Sequence, residues 1–510
     1  MNLNINISKI PEYVTRVTQT LEKAGFEVFI VGGSVRDLVI GREVKDWDLT
    51  TNAKPEEIIG LFDKTVYENK FGTVAIIFEN KDKLDDVTHE TALEPANNIV
   101  EITTYREESG YIDFRHPKDV LFADNIEDDL KRRDFTMNAL ALDADKGQIK
   151  DIFGGIKDIE DKTIRTVGNP DERFTEDALR MMRAVRFATQ LDFVVSHETM
   201  EAIIKNAHLL KNISSERIRD EFVKIIESPR GAQGVIMLQK FGLMKYMIPE
   251  LEEGIGCEQG GAHIYDVFEH LLGALDHAIN KGFSTEIRLA ALFHDIGKPR
   301  TRRAGTKKAY TFYGHEVVGA RMTKSIMDRL KFPKDKTLFV VNMVRRHMFF
   351  SDTEQITLSA VRRVIQNVGS IRQAQDKTDH PIWELMKVRE CDRVGMAKKE
   401  APYRLRKYHA MIEEALHDPI SVKQLKIDGE YLIKTLQINP GPRMGWILNA
   451  LLEEVLDNPE KNTIEILSER VGELDKLSDK DLRVLGEKGK EKKDELEESE
   501  VKKLHKKHGV

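Results

Sequence analysis

The chain is poor in cysteine, modest in aromatic residues and free of long apolar runs. Its 510 residues hold two cysteines, Cys257 and Cys391, too few for a disulfide framework and without zinc-finger spacing. Both are expected to be ordinary thiols in a reducing compartment. No segment approaches a bilayer-spanning apolar run and the N-terminus lacks a signal-peptide pattern, so no membrane association is expected and a cytoplasmic enzyme is. Nor does the net charge of −7 advertise a nucleic-acid partner, since phosphate binding needs a local basic surface. Averages hide patches, however: Lys131-Arg132-Arg133, the Arg180/Arg183/Arg186 row and Arg300 to Arg303 concentrate positive charge in an acidic whole. The 40% of hydrophobic residues suffices for the cores of about three to four domains of usual size.

Against that background one segment stands out. The apolar run Val28-Phe29-Ile30-Val31 reads as a strand and runs into Gly32-Gly33-Ser34-Val35-Arg36-Asp37. Two glycines let backbone N–H groups close on an anionic ligand with no Cβ in the way, which makes a phosphate cradle. Shortly after comes Asp46-Trp47-Asp48. In an extended segment residues i and i+2 share a face, so both carboxylates can grip hard divalent cations. The implied chemistry is metal-assisted nucleotidyl transfer.

Residues 1 to about 165 mix short β-rich runs, such as Val74 to Phe78 and Ile99 to Ile102, with helices. After Asn169-Pro170 helical periodicity dominates. Gly254 to Gly261 reads as a linker into a histidine-bearing helical region, about 262 to 400, and from about Pro419 short helices are punctuated by Asn439-Pro440-Gly441-Pro442. From about Glu487 the chain is nearly all Lys and Glu and is expected to be frayed or disordered. Within the helical part, Asp177, Arg180 and Arg183 fall at helical spacing along one side. That pattern suits an i,i+3 salt bridge. It also suits a base reader, with Arg180 donating to ring N3 and a carbonyl of cytosine while Asp177 accepts from its amino group. A second constellation comprises His270, the adjacent pair His294-Asp295, then His315, His347 and Asp392, ligand types that fit Mn, Ni, Fe or Mg-like centres.

The glycine turn with Asp46 and Asp48 resembles the class II tRNA nucleotidyltransferase and poly(A) polymerase family, and so do Arg132-Arg133-Asp134-Phe135-Thr136-Met137-Asn138 and Glu176-Asp177-Ala178-Leu179-Arg180. His294-Asp295-Ile296-Gly297-Lys298 with its outlying partners resembles the HD phosphohydrolase superfamily. The resemblance spans about residues 20 to 465 and implies an α+β fold. Its parts are a nucleotidyltransferase (polymerase beta-like) head with a mixed sheet over 1–165, a helical neck over 166–255, an HD domain over 256–400, a helical tail over 401–485 and a charged end over 486–510.

It also implies roles for residues. Asp46 and Asp48 would bind Mg2+, with Glu101 as a third carboxylate that orients metals or the primer hydroxyl. Gly32, Gly33, Arg36 and Arg133 would hold the triphosphate; Asp134 and Asn138 would brace the fold, and Asp151 to Gly155 would form a flexible head–neck junction. Asp177 and Arg180 would read the base, with Arg183 and Arg186 near the phosphates. His270, His294, Asp295 and Asp392 would hold one HD metal, a transition metal such as Ni2+ or Mn2+, with His315 and His347 available for a second. His263 and His277 are not expected to be ligands. The activity implied is addition of CCA to tRNA 3′ ends from CTP and ATP, with HD phosphohydrolase activity beside it, in a monomer or homodimer without DNA as a partner. Two alternatives stand: an A-adding enzyme or poly(A) polymerase, and an HD phosphohydrolase whose head only binds RNA.

Overall fold

A computed structural model of the chain describes residues 7–68, 72–78, 98–111, 117–260, 264–305, 309–348, 358–369, 380–393, 402–416, 422 and 425–489. Contacts divide the chain into two compact units, Met1–Arg345 with Lys387–Ala397, and Arg346–Met386 with Lys398–Val510. Among the described residues no helix is long and apolar enough to cross a membrane.

The first unit opens with an α+β head. Its strands are β1 (Val28–Val31), β2 (Trp47–Thr51), β3 (Thr65–Glu68), β4 (Thr73–Phe78), β5 (Asn98–Thr104), β6 (Arg106–Tyr111), β7 (Pro117–Phe122), β8 (Leu140–Asp143) and β9 (Gln148–Asp151). Seven of them form a mixed sheet in the order β3-β4-β5-β2-β1-β8-β9, and β6 pairs with β7 in a separate hairpin. The sheet is mixed because β2 and β5 run parallel while the other pairings are antiparallel. Its central strands are apolar on buried positions, with Ile30, Leu49, Val100 and Ile102 at 0–1% exposure, as expected of strands packed at the middle of a sheet. The helix Gly33–Ile40 follows β1 directly.

From Pro170 the described residues of the unit are almost wholly helical, interrupted by Val194–Val195, which pairs back with Thr163–Ile164, and by a small hairpin of Arg303–Ala304 with Tyr310–Thr311. The second unit is helical throughout its described residues. There the helices Pro442–Asp457 and Ile464–Leu474 enclose a core of Ile447, Leu451, Leu467, Val471 and Leu482. Helix Pro442–Asp457 begins at the proline the sequence placed there, with Gly441 as its N-cap. Residues 479–489 are helical, so the start of the charged end is ordered helix; residues 490–510 lie outside the described residues.

Two junctions differ from their sequence reading. Gly154-Gly155 is a capped and closely packed turn rather than a flexible hinge. The Asp151 carboxylate accepts from the Gly155 and Ile156 amides at 2.8 and 2.9 Å, and a Cβ on Gly155 would overlap the Thr136 carbonyl. Likewise Gly254 to Gly260 is docked on the start of helix Val267–Asn280 instead of linking freely. The Val267 and Phe268 amides donate to Cys257 and Gly254 carbonyls, and the Asp266 carboxylate accepts from Gly256 N at 2.7 Å.

Gly155→Ala should therefore destabilise the head by about 1–3 kcal/mol, the usual cost of overpacking against rigid neighbours. Urea unfolding followed by tryptophan fluorescence measures it, and an unchanged midpoint would show that the Thr136 backbone yields.

Candidate functional site

In the head, the strand-to-helix turn builds the cradle. Gly32 sits at φ 70, ψ −132, a conformation that side chains with a Cβ avoid. A Cβ there would also meet Arg133 Nη1 at 2.9 Å, so glycine lets the Arg133 guanidinium close over the turn. The first turn of helix Gly33–Ile40 has no side-chain cap, which leaves its amides to an anion. Ser34, which the sequence reading passed over, ties this turn to the aspartates. Its hydroxyl donates to the Asp46 carbonyl at 2.9 Å and accepts from the Asp48 amide at 3.1 Å.

Asp48 lies on β2 directly beside Glu101 on β5 in the parallel register, so the three carboxylates of Asp46, Asp48 and Glu101 belong to one patch. The electrostatics agree. Burial pushes the Asp48 carboxyl from its ordinary 3.8 up to about 6; Arg133 opposes the rise, and Glu101 and Asp46 add to it. Asp48 resists ionising beside the other two carboxylates, and an all-oxygen donor set of this kind would suit a hard divalent cation such as Mg2+.

Arg133 is itself positioned by Asp129. That fully buried carboxylate takes Arg132 at 2.6 Å and Arg133 at 3.0 Å, while Lys131 pairs with Asp128. Spacing i−3 and i−4 at the end of helix Ile126–Lys131 was the signal that could have revealed it. Beneath the cradle runs a buried polar chain. Arg36 Nη1 donates to Asn138 Oδ1 at 2.7 Å, Asn138 Nδ2 to Asp134 Oδ1 at 3.1 Å, and Arg183 Nε to Asp134 Oδ2 at 2.8 Å. Burial opposes ionisation of Asp134, but Arg183, Asn138 and Arg180 bring it down to about 2. Arg36, Arg183 and Arg186 surround the Phe187 ring at 5.2, 5.4 and 4.4 Å. Burial and then Arg183 lower the Arg186 guanidinium to about 10, against the pull of Glu221.

The base-reading segment departs from one continuous helix. Helix Pro170–Glu176 ends at Asp177, which is extended (φ −139, ψ 103), and a new helix, Arg180–Leu191, begins three residues later. Asp177 is gripped by Arg217 at 2.7 and 3.3 Å. Arg180 is buried against Glu176 at 2.6 Å and the Arg132 carbonyl at 3.0 Å. The Arg300 to Arg303 patch is similarly engaged, with Arg300 held by Glu253 at 2.6 and 2.8 Å and Arg302 stacked 3.7 Å over Tyr310.

The second constellation assembles in the helical part of the first unit. His270 lies on helix Val267–Asn280, His294 and Asp295 close the helix Thr285–Phe293, and Asp392 ends the helix Ile382–Asp392. All four are buried, with ligand atoms within 4.8 Å of one another. The two Nε2 atoms of His270 and His294 stand 3.0 Å apart and face Asp295 Oδ2 and Asp392 Oδ1 at 3.3–3.4 Å. His294 Nδ1 lies 2.8 Å from the Ala291 carbonyl, which only accepts. Nδ1 therefore carries the proton, and in the neutral ring the Nε2 lone pair points into the cluster. A lone pair facing two carboxylates calls for positive charge between them. Without an ion the ring supplies it: burial favours the neutral form, yet Asp295 and then Asp392 push His294 up to about 10. The donor set thus fits a transition metal, with His294 oriented from behind by the Ala291 carbonyl as metal ligands are.

Asp295 turns its other oxygen, Oδ1, to His315 Nε2 at 3.2 Å, and His315 Nδ1 is fixed by the Phe312 carbonyl at 2.7 Å. Gly297 allows this approach, since a Cβ there would overlap the His315 carbonyl. His347 is buried just past helix Lys334–Arg346 and falls in the second unit. His277 pairs with Glu390 at 3.1 Å, and His263 lies outside the described residues.

The raised Asp48 carboxyl fixes the sign of a pH effect. Its folded form holds a proton up to about pH 6 and its ordinary value is 3.8, so without a divalent cation its contribution to stability falls as pH rises across that window. Millimolar Mg2+ should raise the Tm of the full chain more at pH 8 than at pH 5, and Asp48→Asn should flatten the difference. Equal Tm gains at both pH values would remove Asp48 from the cation site.

Three family models match in sequence: the Poly A polymerase head domain over 28–165, the probable RNA and SrmB-binding site of polymerase A over 192–255, and the HD domain over 263–394. The CCA-adding enzyme of Lactobacillus helveticus is 48% identical over 233 residues, 45% of this chain and 54% of the relative; that of Geobacillus kaustophilus is 44% identical over 237 residues, 46% and 54%. The chain spans about half the length of the curated relatives it matches. Among solved structures, the Bacillus stearothermophilus CCA-adding enzyme in complex with CTP aligns with TM-score 0.57 at 25% identity, covering 90% of this chain and 96% of that one. With its mixed-sheet head, its glycine turn beside three carboxylates and its His-Asp cluster in a following helical region, the chain carries a Poly A polymerase head domain and an HD domain.

Proposed function

We propose that this protein adds CCA to tRNA 3′ ends by metal-dependent nucleotidyl transfer from CTP and ATP, without a nucleic-acid template. The observation that carries the reading is Asp48 registered against Glu101 beside the Gly32-Gly33 cradle. Asp46 and Asp48 hold Mg2+, and Glu101 steadies the ion or the primer hydroxyl. Held by these residues, Mg2+ would supply charge neutralisation for the triphosphate and acidification of the attacking hydroxyl. Gly33 and its neighbouring amides, Arg36, Arg133, Arg183 and Arg186 bind and orient the triphosphate, and Asp177 with Arg180 reads the base edge. The domain plan follows the sequence boundaries: head to 165, neck to 255, HD domain to 400 and tail to 485, the helical parts holding the acceptor arm by shape and phosphate contacts. Relatives named as CCA-adding enzymes support the specificity over an A-adding or poly(A) activity.

The deciding experiment incubates the protein with tRNA lacking its last three nucleotides, with CTP and ATP separately and together. CTP alone should add two residues and both together three. Addition of A alone, or long A tails, would replace this reading with an A-adding or poly(A) activity. In the same assay Asp177→Ala or Arg180→Ala should cost about 1–3 kcal/mol of base discrimination, seen as misincorporation on sequencing the tRNA ends. Unchanged fidelity with a lowered Tm would reduce both residues to struts.

We infer a second, hydrolytic activity at the cluster of His270, His294, Asp295 and Asp392, with His315 beside Asp295 available to a second ion and Ni2+ or Mn2+ as the metal. The convergence of four buried ligand atoms supports it. His294→Ala should abolish Mn2+- or Ni2+-dependent hydrolysis of a 2′,3′-cyclic nucleotide while CCA addition continues. Loss of both activities in a folded variant would make the cluster a structural support.

A further inference from the structure

Lys298 follows the His294-Asp295 pair by one helical turn and is buried, at 6% exposure. Its ammonium lies 2.5 Å from Asp295 Oδ2, the same oxygen that faces His270 and His294. A flexible four-carbon stem does not by itself keep an ammonium at one point. The second restraint is Gln259, which sits 39 residues earlier in the glycine-rich segment docked on helix Val267–Asn280. Gln259 is 4% exposed, and its Oε1 accepts from Lys298 Nζ at 2.6 Å. Its amide cannot flip. Nε2 donates to the Tyr265 and Asp266 carbonyls at 3.2 and 3.3 Å, and those two oxygens only accept, so Oε1 must face Lys298. Gln259 thus takes one ammonium donor while Asp295 holds the charge as an ion pair, which leaves a remaining donor for a ligand beside Asp295. Phe312 walls the other side, its ring centroid 5.7 Å from Nζ.

We propose that Gln259 is a positioning residue of the HD site: it holds Lys298 so that the remaining N–H donor meets a non-bridging oxygen of the phosphoester bound beside Asp295. This deepens the phosphohydrolase reading and rests on it. Gln259 touches neither metal nor substrate. Its effect travels through Lys298, so its loss weakens oxyanion binding and leaves metal binding intact.

The test uses the full chain loaded with Mn2+, with inorganic phosphate as the binding probe in calorimetry and bis(p-nitrophenyl) phosphate as the substrate. Gln259→Leu should weaken phosphate binding about tenfold, the worth of one charge-assisted hydrogen bond, and bind Mn2+ no more weakly than wild type. Gln259→Asn keeps an amide but shortens its reach; it should behave alike, and it serves if Gln259→Leu does not fold. Adding Gln259→Leu to Lys298→Met should cost nothing further, because residues that act through one group are not additive. Additive losses, or Mn2+ affinity falling in step with phosphate affinity, would overturn the proposal. Wild-type protein that binds Mn2+ and phosphate but cleaves no phosphodiester would sink the hydrolase reading alone, the phosphate comparison still deciding Gln259. Wild-type protein that binds no phosphate would sink both.

Discussion

The buried carboxylate of Asp134 is the constraint on which the catalytic head depends. It sits between two segments far apart in sequence, taking Arg183 from the helix Arg180–Leu191 on one oxygen and Asn138 on the other, and Asn138 in turn holds Arg36 under the glycine turn. A carboxylate out of water is costly unless its lone pairs are filled. Here they are, and that is why the acid stays ionised down to about pH 2. Because its folded value lies below the ordinary 3.8, the stability it contributes is present above that value and is lost as pH falls toward 2. The consequence is geometric: Arg36, Arg183 and Arg186 converge on Phe187, so the triphosphate of the proposed reaction would meet guanidinium groups that have already given up their rotamer freedom.

The two metal-fitting clusters meet the same electrostatic problem in different ways. On β2 and β5 the negative charges are brought together on neighbouring strands, with Arg133 as a partial counterion and Asp48 resisting ionisation as a result. At His294 the ligands are fully buried and the protein keeps the charge balance with a proton on the imidazole. The first arrangement suits an ion that arrives with its substrate and leaves with product, since Asp48 relaxes by taking up a proton near pH 6. The second suits a resident ion, because all four ligands are buried and His294 is fixed from behind by the Ala291 carbonyl.

Much of this was legible in the chain. An apolar strand ending in two glycines is by itself usually just a turn, and it was the Asp-x-Asp that follows, two carboxylates sharing a face at a period of two, that made it readable as a site. The His-Asp pair and its partners were readable as ligand types in order. What stayed hidden were the partners that only tertiary structure supplies: Ser34 bridging to Asp46 and Asp48, Arg217 on Asp177, and Gln259 on Lys298. Spacing also misled at Glu176-Asp177, because i,i+3 geometry presumes an unbroken helix and the extended backbone at Asp177 breaks it. The glycines at 154–155 and 254–260 read as looseness in sequence, whereas Gly155 and Gly254 are there because neighbouring backbone leaves no room for a Cβ.

The break at Asp177 changes how base selection must work if this pair reads the nucleotide. On one helix the two side chains would present a ready-made edge. Here Asp177 is already bidentate with Arg217, and Arg180 is already satisfied by Glu176 and the Arg132 carbonyl. An incoming base therefore exchanges hydrogen bonds rather than adding them, and the net affinity gained per bond is small. Discrimination does not shrink with it. A base that matches both groups leaves every donor and acceptor paired, while one that draws Arg180 from Glu176 without offering the complementary edge leaves a buried guanidinium and a carboxylate short of partners, and such a deficit costs more than a good bond contributes. If the pair reads the base as proposed, selectivity would come from penalising the wrong base, and the internal ion pairs of Asp177 and Arg180 would set the size of that penalty.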